Sequence, residues 1–252
     1  MNINQKTINE LRIMAATAIN NAGSGHTGSS VGAATMMYAL FKDHYFYNVA
    51  DPNFIARDRL VLSAGHIVPL CYSLMNLFNF GISDEDLKKL RKYKSNTPGH
   101  PEYGTTKGIE VSTGPLGQGI ANAVGLAIGQ AIIGEKFNAQ KYNIVDNYTY
   151  CYAGDGCLQE GVAQEACSLA GTLKLNKLIL LYDCNNVTID GPVSISNQEN
   201  VAKKFKAMKW NVIKVRNGNS FFSCTQAISK AKKANKPTII IFNTEIGYGT
   251  SY

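Results

Sequence analysis

Tyr150-Cys-Tyr-Ala-Gly-Asp-Gly156 and, further on, Leu180-Leu-Tyr-Asp-Cys-Asn-Asn-Val-Thr-Ile-Asp-Gly191 are two apolar, aromatic-rich runs that stop abruptly at small or polar residues. Between them, Gln159 to about Leu173 carries the spacing of a helix. Strand, helix, strand is a βαβ unit, which yields two parallel strands joined by a crossover. Asp155 closes the first strand between Gly154 and Gly156. Asn185 and Asn186 close the second, thirty positions later (185 − 155 = 30). Ligands of open α/β sheets bind at this carboxyl edge, so an acid and two amides are expected to converge on one crevice.

The chemistry open to such a set is narrow. No basic side chain adjoins Asp155. A carboxylate with an amide oxygen is a hard, oxygen-only site, suited to Mg²⁺ or Ca²⁺ and not to zinc. Mg²⁺ takes few protein ligands and fills its shell with phosphate oxygens and water. Gly154 and Gly156 allow close backbone approach to a diphosphate, and a helix opening after Gly156 would offer free N–H groups. The same residues also fit a plain strand-to-helix turn with Asp as a cap and Asn-Asn as a loop. Spacing alone does not decide between these readings.

Composition sets the frame around this unit. A chain of 252 residues, 45% hydrophobic and 17% charged, is that of an ordinary soluble globular protein able to bury a large core. The net charge of +7 comes from scattered or paired lysines, with no basic block interleaved with aromatics. It suits phosphorylated ligands or a solvated surface and argues against nucleic acid as a partner. The six cysteines form no Cys-x-x-Cys pair, which points to free thiols in a reducing, cytoplasmic setting. No signal peptide and no apolar run of membrane-spanning length occurs, so no membrane partner is expected.

Working outward, Thr7 to Asn21 reads as an amphipathic helix that runs into Gly23-Ser24-Gly25-His26-Thr27-Gly28, with a second helix over Val31 to Phe41. Arg59 to Ser63 reads as a strand ending at Ala64-Gly65-His66, ahead of a helix from about Pro69 to Leu77. His66 therefore falls on the same sheet edge as Asp155. Asp84 to Lys94 reads as a charged surface helix, and Asn96 to Gly104 as a stiff loop carrying His100. His26 and His100 each fit a surface loop histidine or a ligand-facing one. Gln118 to about Ile133, entered through Ser112-Thr-Gly-Pro-Leu-Gly-Gln-Gly119, is apolar on every face, which predicts a buried helix rich in small residues, packed on another helix or across a subunit interface. Helices over Gln198 to Met208 and Ser220 to Ala234 alternate with strands at 211–215 and 238–243. With strands near 59–63, 148–153 and 177–183, this predicts an α/β fold: one doubly wound parallel sheet with helices on both faces, and residues 1–252 as a single domain.

Five blocks in order resemble the transketolase family: Ser-Gly-His-Thr-Gly (24–28), Thr-Pro-Gly-His-Pro-Glu (97–102), Ser-Thr-Gly-Pro-Leu-Gly-Gln-Gly (112–119), Gly-Asp-Gly-Cys-Leu-Gln-Glu-Gly (154–161) and Ser-Leu-Ala-Gly-Thr-Leu-Lys-Leu (168–175). Gly154-Asp155-Gly156 followed by Asn185-Asn186 is similar to the thiamine-diphosphate motif. The resemblance runs from about Ile8 to Gly249 and implies a thiamine-diphosphate-binding fold. It implies that Asp155, Asn185 and the Val187 carbonyl hold Mg²⁺ or Ca²⁺. It implies that His66, Gly114, Pro115, Leu116, Gly156, Asn185 and Ile189 bind the cofactor. His26 and His100 would face the donor sugar and move protons. Glu160 and Glu165 would lie at a dimer interface, with Glu160 in the network reaching the partner's catalytic acid.

The implied activity is transfer of a two-carbon ketol unit from a ketose phosphate to an aldose phosphate, in a cytoplasmic homodimer of the pentose phosphate pathway. Two positions depart from the family: Ile67-Val68-Pro69 follows His66 where Gly is usual, and Thr27 replaces Pro. The family's activating glutamate, on the pyrimidine-binding domain, has no counterpart here; a further substrate-site histidine, the sugar-phosphate arginines and the C-terminal domain are also outside this chain. The chain is thus expected to be the diphosphate-binding half, either of a split enzyme completed by a second subunit or of a truncated one. The stop at Tyr252 inside a Gly-rich loop favours truncation. The other readings are part of a 1-deoxy-xylulose-5-phosphate synthase-like ketol transferase, and a cofactor-binding module inactive in isolation.

Overall fold

The structure is a computed structural model and describes residues 2–139, 141–189 and 191–250. In chain order the helices are α1 (Ile3–Ala22), α2 (Thr27–Gly32), α3 (Ala34–Asp43), α4 (Val68–Leu77), α5 (Asp84–Lys88), α6 (Gln118–Phe137), α7 (Gly161–Thr172), α8 (Val201–Ala207) and α9 (Phe221–Ala231). The strands are β1 (Arg59–Leu62), β2 (Thr149–Gly154), β3 (Leu178–Cys184), β4 (Val187–Thr188), β5 (Gly191–Pro192), β6 (Asn211–Val215) and β7 (Thr238–Asn243).

Five strands form one all-parallel sheet in the order β1-β2-β3-β7-β6. Parallel strands buried on both faces read as continuous apolar runs, and Ile179–Leu181 and Ile239–Ile241 are such runs, buried throughout. The steps β1 to β2, β2 to β3 and β3 to β6 advance in one direction, while β6 to β7 turns back. Right-handed crossovers then place α9 on the face opposite α6 and α7. Accordingly α6 packs on β1 and β2 with α7 against it, and α9 packs on β6 and β7 with α3 against it. α3 is buried along Ala34–Phe41 because α1, α4 and α9 surround it.

Local chemistry accounts for the element ends. Asn2 caps α1 by accepting from Gln5 N–H (2.9 Å), and Gly23 closes it in the left-handed region (φ 69°). α5 is shorter than the charge pattern predicts. Ser83 and Asp86 form a capping box at its start, and the Thr97 hydroxyl takes the Asp86 carbonyl (2.7 Å), so the chain turns away after Lys88. The helix predicted over 31–41 is two helices, broken at Ala33. The β4–β5 hairpin was not predicted.

Two further expectations are corrected. No helix opens directly at Gly156: a single 3-10 turn, Gly156–Gln159, intervenes and α7 begins at Gly161. α6 is not buried on every face either. Gly119, Ala123 and Ala127 are packed inward, whereas Gly125, Ala131, Ile132 and Phe137 are exposed. Apolar composition says that a face is suited to burial without saying what covers it. All six cysteines are free. No helix among the described residues is long and apolar enough to cross a membrane.

Candidate active site at the carboxyl edge of the sheet

Four strand ends build the site. β1 runs into Ser63–His66, β2 into Asp155, β3 into Asn185–Val187, and β7 into Thr244–Gly247. Close approaches draw the loops in. The Thr113 hydroxyl donates to Leu62 C=O (2.7 Å), and Ile120 N–H donates to the Ser63 hydroxyl (3.2 Å), pinning the 112–119 loop to β1. A Cβ at Gly119 would lie 2.4 Å from Ser63 Cα, so only glycine lets the start of α6 seat there. At Gly65 a Cβ would meet Thr113 Oγ1 at 2.9 Å and His100 Cδ2 at 3.2 Å; this contact brings the 97–102 loop against His66. Arg91 donates to the Ser24 hydroxyl (2.8 Å) and lies across Gly99, linking the loops that carry His26 and His100.

The result is a cavity of about 510 Å³ at the strand ends. It is lined by His26, His66, His100, Gly114, Leu116, Asp155, Gly156, Asn185, Val187 and Ile189, so ten of the predicted site residues meet in one place. Pro115 does not: it is exposed and lies off the cavity, between the two neighbours that line it. Glu160 does not either. It borders an adjoining cavity of about 500 Å³ that shares Leu116, Gly156, Thr188 and Ile189. Glu165 is exposed on α7. Ile67 and Val68 take ordinary right-handed helical angles and are buried, so the β-branched pair after His66 is accommodated as core.

Asp155 is buried and its carboxylate organises the following turn. One oxygen accepts from the Tyr182 hydroxyl; the other accepts from Asn185 N–H (3.2 Å) and Asn186 N–H (3.1 Å). Burial pushes the Asp155 carboxyl above the usual carboxylate range, and these donors pull it back. Asn186 (φ 60°) and Ile189 (φ 54°) sit in the left-handed region. For β-branched Ile189 this is strained, and its side chain is 92% exposed, standing at the rim of both cavities.

Asp183 is a site residue that sequence reasoning missed. It is buried at 1% exposure, accepts from the Tyr152 hydroxyl (2.7 Å), Asn185 Nδ2 (3.1 Å) and the Thr244 hydroxyl, and lines the cavity. Burial raises its carboxyl, and neighbouring Asp155 raises it further. An acid near the end of an otherwise apolar strand was the available signal. Tyr152, Ser29, Thr188 and Ile246 also line the cavity and were not singled out.

Among the described residues no Lys, Arg or His pairs with Asp155 or Asp183. Two buried carboxylates without a basic partner are costly alone. The donor set beside Asp155 is carboxylate and amide oxygen, and among the described residues no group of three or more His, Cys, Asp or Glu is placed to hold a metal ion by itself. These residues fit a hard divalent cation whose remaining ligands come from phosphate and water. A Cβ at Gly154 would meet nothing within 4 Å, which leaves open space beside Asp155, whereas one at Gly156 would strike Leu116 at 2.9 Å.

The three histidines cluster on the other wall. Burial, then the neighbouring His26 and His100, push the His66 imidazole down to about 4, so it is neutral near pH 7. His100 is lowered by burial, then by Arg91 and His26. Neutral imidazoles can accept protons from sugar-type hydroxyls.

Comparison with known proteins shows the family of the chain. Residues 3–252 match the family model described as transketolase, thiamine diphosphate binding domain. The Bacillus subtilis transketolase is 47% identical over 98% of this chain, which spans 37% of that protein's length. The structure of Leishmania mexicana transketolase superposes with a TM-score of 0.97 at 47% identity, covering 100% of this chain and 38% of that one. A Pichia stipitis transketolase in complex with sedoheptulose-7-phosphate superposes with a TM-score of 0.96 at 43% identity, covering 98% of this chain and 37% of that one. The chain belongs to the transketolase family, of which it carries the thiamine diphosphate binding domain.

Proposed function

We propose that the chain is the diphosphate-binding part of a transketolase that transfers a two-carbon ketol unit between sugar phosphates. The supporting observation is the convergence of the Asp155–Asn185 oxygens and three histidines on one cavity at the carboxyl edge of the sheet. Asp155, Asn185 and the Val187 carbonyl would hold Mg²⁺ or Ca²⁺ and, through it, the diphosphate. Gly114, Leu116, Gly156 and His66 would line the cofactor, with Ile189 against it. Thiamine diphosphate, when bound, supplies the carbon nucleophile that carries the two-carbon unit. His26 and His100 would take and return protons at the hydroxyls of the donor sugar. The ketose phosphate seen bound to the Pichia stipitis relative is the substrate class proposed here.

The activating acid would come from a pyrimidine-binding domain outside these residues, borne by the same polypeptide or by a second subunit. A homodimer is supported by the exposed apolar face of α6 and α7, with Ile132, Val162, Leu169 and Leu173 outward and Glu160 and Glu165 beside them. The free cysteines suit a reducing compartment such as the cytoplasm. The test is ketol transfer by residues 1–252 alone and by the same residues joined to the remainder of a transketolase relative. Turnover is expected only in the joined form. Robust turnover by residues 1–252 alone would sink the half-site reading, and none in the joined form would sink the function.

A further inference from the structure

We propose that Asp183 is a positioning residue that fixes which way the Asn185 amide faces, so that oxygen and not nitrogen is presented to the cation. This rests on the cation site proposed above. An asparagine side chain has an acceptor end and a donor end of nearly equal shape, and its orientation is set by its partners. Here Asn185 Nδ2 donates to Asp183 Oδ2 (3.1 Å), and Asn185 Oδ1 accepts from Val187 N–H (3.0 Å). Turning the amide over would set its oxygen against a carboxylate oxygen and its NH₂ against a backbone N–H. Both contacts are repulsive, so one orientation holds.

Asp183 is suited to this task. Its Oδ2 already accepts from Tyr152 and Asn185, and its Oδ1 accepts from Thr244. Both lone pairs of Oδ2 are therefore used, and the group is 1% exposed. Tyr152 on β2 and Thr244 just after β7 hold the carboxylate from the two strands that flank β3. The carboxylate is thus fixed by the sheet and passes its orientation to the residue that meets the cation. Partners behind a metal ligand typically govern affinity by about 10- to 100-fold.

The experiment titrates Mn²⁺ in the presence of inorganic diphosphate, following free Mn²⁺ by electron paramagnetic resonance, with thermal melting recorded without metal. The unaltered chain is expected to bind Mn²⁺–diphosphate. Asp183→Ala, which removes the acceptor that Asn185 Nδ2 needs, is expected to bind about 10- to 100-fold more weakly. The double variant Asp183→Ala/Asn185→Asp, whose carboxylate presents an oxygen to the cation whichever way it turns, is expected to recover most of that loss. Gly171→Ala, whose Cβ would meet the Met208 carbonyl away from the cavity, is expected to leave Mn²⁺ affinity within about twofold while lowering the melting temperature. Equal binding by Asp183→Ala, no recovery in the double variant, or an equal loss in Gly171→Ala would each overturn the proposal. Absence of binding by the unaltered chain would overturn the cation site itself.

Discussion

The imidazole rings of His26 and His66 lie 4.7 Å apart, centroid to centroid, with their planes tilted by 40°. Two rings this close resist carrying a proton each. His66 is half-buried, and burial first, then the neighbouring His26 and His100, holds its imidazole down to about 4.

This carries a pH dependence. In the unfolded chain His66 takes up its proton near its ordinary value of about 6.5. The folded chain binds fewer protons than the unfolded one between about 6.5 and 4, so stability falls as pH drops through that window and levels off below it. Melting curves from pH 7.5 to 4 are expected to show this decline, and His66→Gln is expected to flatten part of it, His100 contributing the remainder. An unchanged slope in the variant would refute the assignment.

Ile189 is strained in isolation and exposed. Ile189→Gly is expected to relieve the left-handed backbone and raise stability by about 1 kcal/mol. It is also expected to weaken thiamine diphosphate binding in the joined enzyme, because the apolar contact is lost. Melting and cofactor titration of the same variant should therefore move in opposite directions. A variant that is both less stable and an unimpaired binder would contradict the reading.

Glycines separate packing from the exposed helix face. A Cβ at Gly171 would come within 1.8 Å of the Met208 carbonyl oxygen, so Gly171→Ala is expected to cost about 3 kcal/mol or more, measured by urea unfolding. Gly125 is exposed on α6 with nothing within 4 Å of its would-be Cβ. Gly125→Ala is expected to stabilise residues 1–252 by about 0.5–1 kcal/mol through helix propensity. If that face is the subunit contact, the same change should weaken dimerisation of the joined enzyme in sedimentation.

Asp155→Ala is expected to abolish metal-dependent cofactor affinity in the joined enzyme, seen as loss of the difference between titrations with Mg²⁺ and with chelator. It also strands the Tyr182 hydroxyl and two backbone N–H groups, which costs about 1–3 kcal/mol for each group left without a partner. An intact Mg²⁺ effect in the variant would move the metal site elsewhere.

What could be read in advance followed from local chemistry. β3 and β7 announce themselves because a strand buried on both faces has to be apolar along its length, and Asp155, Asn185 and His66 stand out because each breaks such a run at its end. Asp183 was hidden for the opposite reason. It lies inside β3, and the donors that give it meaning, Tyr152 and Thr244, are 31 and 61 residues away. The exposed half of α6 and the early end of α5 were hidden likewise: one depends on what lies against a helix, the other on a single hydroxyl from Thr97.

The strand order has a consequence for how the molecule comes into being. β7, the last described strand along the chain, is inserted between β3 and β6. During synthesis from the amino end, β1, β2 and β3 can assemble while β3 keeps an open, hydrogen-bonding edge, and β6 has no neighbour at all until residues 238–243 emerge. Such an edge is open to association with other chains. Thr244, which anchors Asp183, follows β7 directly, so the cation pocket is finished at the same moment that the edge is sealed. A nascent chain stalled before residue 238 should therefore be both unable to bind the cation and prone to aggregate.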